Sequence, residues 1–248
     1  MKTKLRRILV AVVGFLVVTI WLVVNPASYE AVFTQVENLG AELGIKDFDA
    51  EEVEVEHDEN APLATEILEK LEVKGRASKT GYAREEFYDG WPEVDGCSLR
   101  QRILKRELGD SAVLDGCYVI AGEYDEPYTG EHRVLSNREQ VAEIQIDHVV
   151  ALSDAWQKGA QYKTTEERYR IATDPLNLLA VDGGANKQKS DGDAATWLPK
   201  NKKFRCQYVA RQVSVKYKYG LWVTQAEKDA ISRILANCPN ERTRGIAK

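Results

Sequence analysis

The sequence predicts an α+β domain, mainly helices around a small antiparallel piece, behind one hydrophobic N-terminal helix. Three observations lead there: an uncharged apolar run near the start, helix-start signals ahead of amphipathic segments, and short strand-like pieces between them. The apolar run is Ile8–Val24, seventeen residues rich in Val, Leu and Ile, at the lower limit for a membrane span. Lys2, Lys4, Arg6 and Arg7 precede it and only acids follow soon after (Glu30, Glu37, Glu42), which keeps the N-terminus cytoplasmic and translocates the rest. A cleaved signal peptide is the rival, but its apolar core usually spans about 7–15 residues, and Asn25-Pro26-Ala27 is a poor cleavage site. The expectation is a transmembrane signal anchor within residues 1–28, with secretion after cleavage as the alternative. Either places the domain outside the cytoplasm.

Residues 29–60 read as an acidic extracytoplasmic spacer. Between Asp47 and Glu59 there are eight acidic residues and neither Lys nor Arg, a run that cannot bury itself. It accounts for the net charge of −5: from Ala61 onward 29 basic side chains face 28 acidic ones, and from Pro199 onward 12 face 3. The domain proper is expected over 61–240, followed by a basic tail at 241–248.

Cys97 and Cys117 lie twenty residues apart and Cys206 and Cys238 thirty-two, with no C-x-x-C pair, which argues against a zinc ribbon or a redox motif. In an oxidising compartment two local bridges are natural, each worth about 3 kcal/mol. Sequence permits three pairings, and the local one, Cys97–Cys117 with Cys206–Cys238, is preferred.

Along the domain, Pro62 opens a helix with Leu63, Ile67, Leu68 and Leu71 on one side. Gly81 to Gly96 is aromatic and turn-rich, and a capping pattern at Ser98-x-x-Gln101 starts a helix carrying Ile103 and Leu104. Strand-like pieces follow at Tyr118–Ala121, His132–Leu135 and Glu143–Val150. Thr164-x-x-Glu167 caps another helix, and Asn177–Val181 reads as a short buried strand. Phe204–Tyr219 is helical and ends at Gly220, and Thr224-x-x-Glu227 caps a last helix burying Ala230, Ile231, Ile234 and Leu235.

Only three histidines exist, so the search for a catalytic base is short. His57 lies in the acidic spacer, and His132 sits beside a turn in a surface strand. His148 differs, because Ile144-Gln145-Ile146-Asp147-His148-Val149-Val150 sets an Asp-His pair inside an apolar strand. Alone it would be a structural histidine. Downstream, Asp174-Pro175-Leu176-Asn177 turns into a strand, and Gly183-Gly184-Ala185-Asn186-Lys187-Gln188-Lys189 turns into a polar helix.

The order of strand with Asp-His, strand opening with Asn, and helix with Asn-x-x-Lys resembles the HNH endonuclease family, whose ββα-metal fold packs a hairpin on one helix around one divalent ion. The exported bacterial branch, related to the C-terminal nuclease domain of modification-dependent restriction enzymes, is the nearest resemblance. Its surrounding segments look like Gly-Tyr-x-Arg-Glu-x-Phe from Gly81, Asp-Gly-Cys from Asp95, and Gly-Asp-Ala-Ala-Thr-Trp-Leu-Pro from Gly192.

The resemblance implies that His148 is the general base and that Asn177 hydrogen-bonds its imidazole. It further implies that Asp147 and Asn186 hold one hard cation. Oxygen donors favour Mg²⁺, with Mn²⁺ the alternative; Asn186 stands where many members carry a histidine. A neighbouring Asp-His can serve one site only if the strand is distorted, so an irregular backbone is expected at Asp147–His148. Lys187, Lys189, Lys200, Lys202, Lys203 and Arg205 are candidate phosphate contacts, and Lys216 and Lys218 belong to the same basic stretch.

Singly, each residue has a plainer account: Asn177 capping the Asp174-Pro175 turn, Asn186 in a left-handed turn, the lysines a solvated face. The expected function is metal-dependent hydrolysis of DNA, or alternatively RNA, leaving a 5′-phosphate, with low sequence specificity. The alternatives are a non-catalytic nucleic-acid-binding envelope module or a structural one. The membrane enters only through the N-terminal helix, and no protein partner is inferred.

Overall fold

The computed structural model describes residues 58–246. The expected membrane helix, most of the acidic spacer and His57 lie outside the described residues. Among those described, no helix is long and apolar enough to cross a membrane.

The centre of the domain is an antiparallel pair, β6 (Ile144–His148) and β7 (Leu178–Asp182), in register from Ile144 opposite Asp182 to His148 opposite Leu178. Helix α6 (Gly183–Lys189) begins at the residue after β7. Alternation along β7 divides the core. Leu178 and Ala180 face α2 (Leu99–Leu108), packing with Leu99, Ile103 and Leu104. Leu179 and Val181 face the other way, into Ile67, Leu68, Tyr208 and Val213 of α1 (Ala64–Lys70) and α7 (Arg205–Lys218). A strand buried on both faces reads as a continuous apolar run, which Leu178-Leu179-Ala180-Val181 is. Unlike a simple hairpin, β6 and β7 are joined by two helices, α4 (Leu152–Gln157) and α5 (Thr165–Thr173).

Two further antiparallel sheets lie apart from this pair: β1 (Glu93–Val94) with β2 (Cys97–Ser98), and β3 (Val113–Asp115), β4 (Tyr118–Asp125) and β5 (His132–Leu135). The small antiparallel piece is therefore three small sheets, and α3 (Arg138–Glu143) leads from the second into β6. At Gly122 on β4, where φ is 149°, a Cβ would come 3.0 Å from the Ser111 carbonyl and 3.3 Å from the Ala112 Cα, so glycine suits the close approach of the segment after α2.

The capping signals have mixed outcomes. Thr164 and Glu167 form the full reciprocal box at the start of α5. Thr224 accepts from the Glu227 amide at the start of α8 (Gln225–Leu235), but the Glu227 carboxylate turns inward instead of back. Ser98 makes no cap, and the Gln101 side chain, instead of turning back to it, accepts from the Val119 amide on β4 at 2.9 Å. Both cysteine pairs bond locally, Cys97 with Cys117 and Cys206 with Cys238.

Inside the domain lies a charge network of three acids and three bases. Lys158 is 2.7 Å from Asp154, 2.8 Å from Asp193 and 2.6 Å from Glu227. Lys216 reaches Asp154 at 3.0 Å and Glu227 at 2.8 Å, and Arg76 closes the set on Asp154 and Asp193. All but Arg76 are out of water. Lys216, expected on a basic surface, is buried here because two carboxylates compensate its charge.

Candidate active site

β6 ends at His148, and its pairing with β7 runs unbroken through Asp147 and His148. The expected distortion is absent: among the described residues only Asp95 and Ser190 are non-glycines with positive φ. Regular alternation sends the two side chains to opposite faces, one toward α6 and one toward the end of α5. Both still line one cleft of about 360 Å³ at the strand end, with Asn186, Lys187, Lys79 and Arg84.

The imidazole of His148 is held on three sides. Nε2 lies 2.9 Å from the Ala172 carbonyl, and Trp91 stacks on the ring at 5.8 Å with 12° between planes. Tyr88 packs at 5.8 Å. Burial pushes its pKa down to about 3, assisted by the positive Arg84 and Lys189 and opposed by the Ala172 carbonyl. The ring is thus neutral at physiological pH and carries one N–H. The Ala172 carbonyl can only accept, so the proton sits on Nε2 and Nδ1 keeps its lone pair.

Asp147 is buried. Its Oδ1 is 3.0 Å from the Lys189 ammonium, and its Oδ2 accepts from the Tyr128 hydroxyl. Burial pushes the carboxyl pKa up, while Lys189 and Tyr128 pull it back. Lys189 also donates to the His148 carbonyl at 2.8 Å and is 1% exposed. This corrects its expected contact with phosphate: the ammonium is committed to Asp147.

Asn177 is corrected too. Its Oδ1 accepts from the Val150 amide at 2.8 Å, and its Nδ2 donates to Ile171 at 3.0 Å and Val150 at 3.3 Å. It staples the chain leaving β6 to the chain entering β7 and makes no hydrogen bond to the imidazole. Nor does it cap its turn, since Asp174 takes the Leu176 amide itself. Asn186 is helical, and its Nδ2 donates to Gln145 Oε1 at 2.9 Å.

The remaining basic candidates divide. Lys187 lines the cleft. Lys200, Lys202 and Lys203 are exposed, and Arg205 donates to the Pro199 carbonyl. None of these four lines the cleft; Lys200 borders a separate depression beside Tyr128 and Trp197. Lys218, half-exposed, pairs with Asp174 at 2.7 Å. Sequence reasoning gave no role to Lys79, Arg84, Tyr88 or Trp91, although the Gly-Tyr-x-Arg-Glu-x-Phe segment carrying Arg84 was the available signal.

A paired β6–β7 unit running into α6, with a carboxylate, a histidine and an asparagine about one cleft, has the element order of a ββα nuclease domain. The comparisons give the same class. The profile of GmrSD restriction endonucleases, C-terminal domain, matches residues 100–234, more than half of the chain. An "Uncharacterized secreted protein" of the fungus Arthroderma benhamiae is 34% identical over 183 residues, covering 72% of this chain and 86% of that protein. No solved structure matches. The chain belongs to the GmrSD C-terminal domain family, a family of HNH-like nucleases.

Proposed function

We propose that the cleft hydrolyses phosphodiester bonds in DNA, with RNA the alternative substrate, and that His148 Nδ1 is the general base. The observation behind this is the imidazole itself: neutral, proton-anchored on Ala172 through Nε2, and bracketed by Trp91 and Tyr88 at the wall of a cationic cleft. A lone pair held in one direction can take a proton from water attacking phosphorus, a contribution of about 10²–10⁴-fold. Asn177 acts through the backbone, fixing the strand end on which His148 stands.

The donor set suits a hard cation in kind. Asp147 keeps a spare lone pair on each oxygen, and Asn186 commits only its nitrogen to Gln145. Two oxygen ligands suit Mg²⁺, which retains most of its water, and Mn²⁺ is the alternative; among the described residues no cluster of three or more His, Cys, Asp or Glu forms a cage. When bound, such an ion stabilises the charge growing on the leaving oxygen.

The two disulfides and the secreted relative fit a place outside the cytoplasm. Secretion fits them, the retained membrane anchor rests on residues 8–24 alone, and a specifically bacterial branch rests on motif likeness, the curated relative being fungal.

The decisive experiment is nicking of supercoiled plasmid by wild type and His148→Ala, with Mg²⁺ and with chelator. Cleavage that needs the metal and falls by about 10²–10⁴-fold in the variant, with DNA affinity unchanged, is expected. Wild-type rates from clean His148→Ala protein would overturn the mechanism.

A further inference from the structure

Four cations stand at or behind the cleft, and they differ in what neutralises them. Lys189 is paired with Asp147, and Lys79 lies 2.9 Å from Asp191. Arg84 and Lys187 have no carboxylate partner among the described residues. Arg84 is braced by a neutral group instead: its guanidinium lies 5.1 Å from the Tyr88 ring centroid and donates to the Tyr88 hydroxyl. That ring also packs on His148. One tyrosine therefore holds a guanidinium and the imidazole next to each other. A guanidinium oriented by a phenol keeps its full charge and its remaining N–H donors for an anion.

Arg84 and Lys187 reach the cleft from different walls. Arg84 sits on a single 3₁₀ turn, Arg84–Glu86, and Lys187 on α6. The turn is firmly attached: Arg168 donates to the Glu86 carbonyl at 2.7 Å, and Phe87 packs on Trp156. It precedes residues 100–234, the span matched by the family profile.

Resting on the nuclease reading, we propose that Arg84, braced on Tyr88, is the phosphate-binding residue of the cleft, opposed by Lys187. The substrate phosphodiester is then gripped between the segment of residues 79–91 and α6, with His148 beside it. Half of the site comes from chain outside the span the family profile matches.

The test is fluorescence anisotropy with a labelled DNA duplex and a labelled single strand, in chelator so that nothing is cut, across a series of salt concentrations. Arg84→Ala should weaken binding about 10- to 100-fold and reduce the log–log salt slope by about 1, as loss of one phosphate contact requires. Arg84→Lys should fall between, since an ammonium keeps the charge but loses the fork. Tyr88→Phe, keeping the ring but not the hydroxyl, should weaken binding less than Arg84→Ala. Arg170→Ala, removing an exposed arginine of α5 paired with Glu166, should change nothing.

Wild-type affinity and slope in Arg84→Ala, beside a wild type that binds and cleaves, would overturn the assignment of Arg84 alone. A wild type that neither binds nor cleaves overturns the nuclease reading and this proposal together. Should Arg84→Ala unfold, Arg84→Lys decides, and wild-type affinity in it with an unchanged slope counts against the proposal.

Discussion

Lys189 is a lysine with almost no contact with water, three residues along α6 from a candidate metal ligand. A surface lysine can be replaced at a cost within about ±0.5 kcal/mol, whereas Lys189 neutralises Asp147 out of water. Lys189→Met should therefore destabilise the protein by about 3–5 kcal/mol in urea denaturation, and adding Asp147→Asn should recover part of the loss. A change below 1 kcal/mol would mean that the pair does not carry its charge compensation. Residue identity alone could not reveal this, since the partner lies 42 positions away. His148 was legible because histidines are few and it alone sat in an apolar strand. Asn177 was found but given the wrong partner: its bonds go to Val150 and Ile171, and nothing in local pattern says which backbone groups will lie opposite an amide.

Among the elements, those with a strong local signal were visible in the sequence. The Thr164 box and the helical run of α7 ending at Gly220 each depend on near neighbours. At Ser98 no box forms, since the Gln101 side chain finds a partner on β4, a tertiary contact that overrides a local one. The three-stranded sheet was seen only in pieces, since β3 is exposed throughout and carries no apolar alternation. The charge network ties α4, α7 and α8 to the loop after α6, and it sets the acid response. Asp193 is held at about 2, below its ordinary 3.8: the hydrogen bond and charge of Lys158 and the charge of Arg76 outweigh burial, which by itself would raise it. A depressed carboxyl contributes stability that is complete above its unfolded value and disappears as pH falls through the folded one. Stability should thus drop steeply between pH 4 and 2, with Asp193 accounting for roughly 2 kcal/mol. Thermal melts over that range check this, and a flat profile would count against the network.

For the whole molecule, the disulfides close loops at two separate places, one on the β1–β2 side and one between α7 and the end of α8. Chain entropy alone makes each worth about 3–4 kcal/mol. Reduction, or Cys206→Ser with Cys238→Ser, should lower the urea midpoint accordingly, and an unchanged midpoint would show the bridges to be dispensable. That pairing was readable from spacing and export. Which walls surround the site was not, because the segment from Lys79 to Trp91 meets β6 only after the chain has folded back across more than fifty residues.

The network also sets a clock. Lys158 precedes Glu227 by 69 residues, which a ribosome needs roughly 3–14 seconds to add. Until then Lys158 has only Asp154 and Asp193, and Lys216 only Asp154, to make its burial tolerable. A nascent chain, or one cut short before α8, therefore carries two buried ammonium groups one carboxylate short.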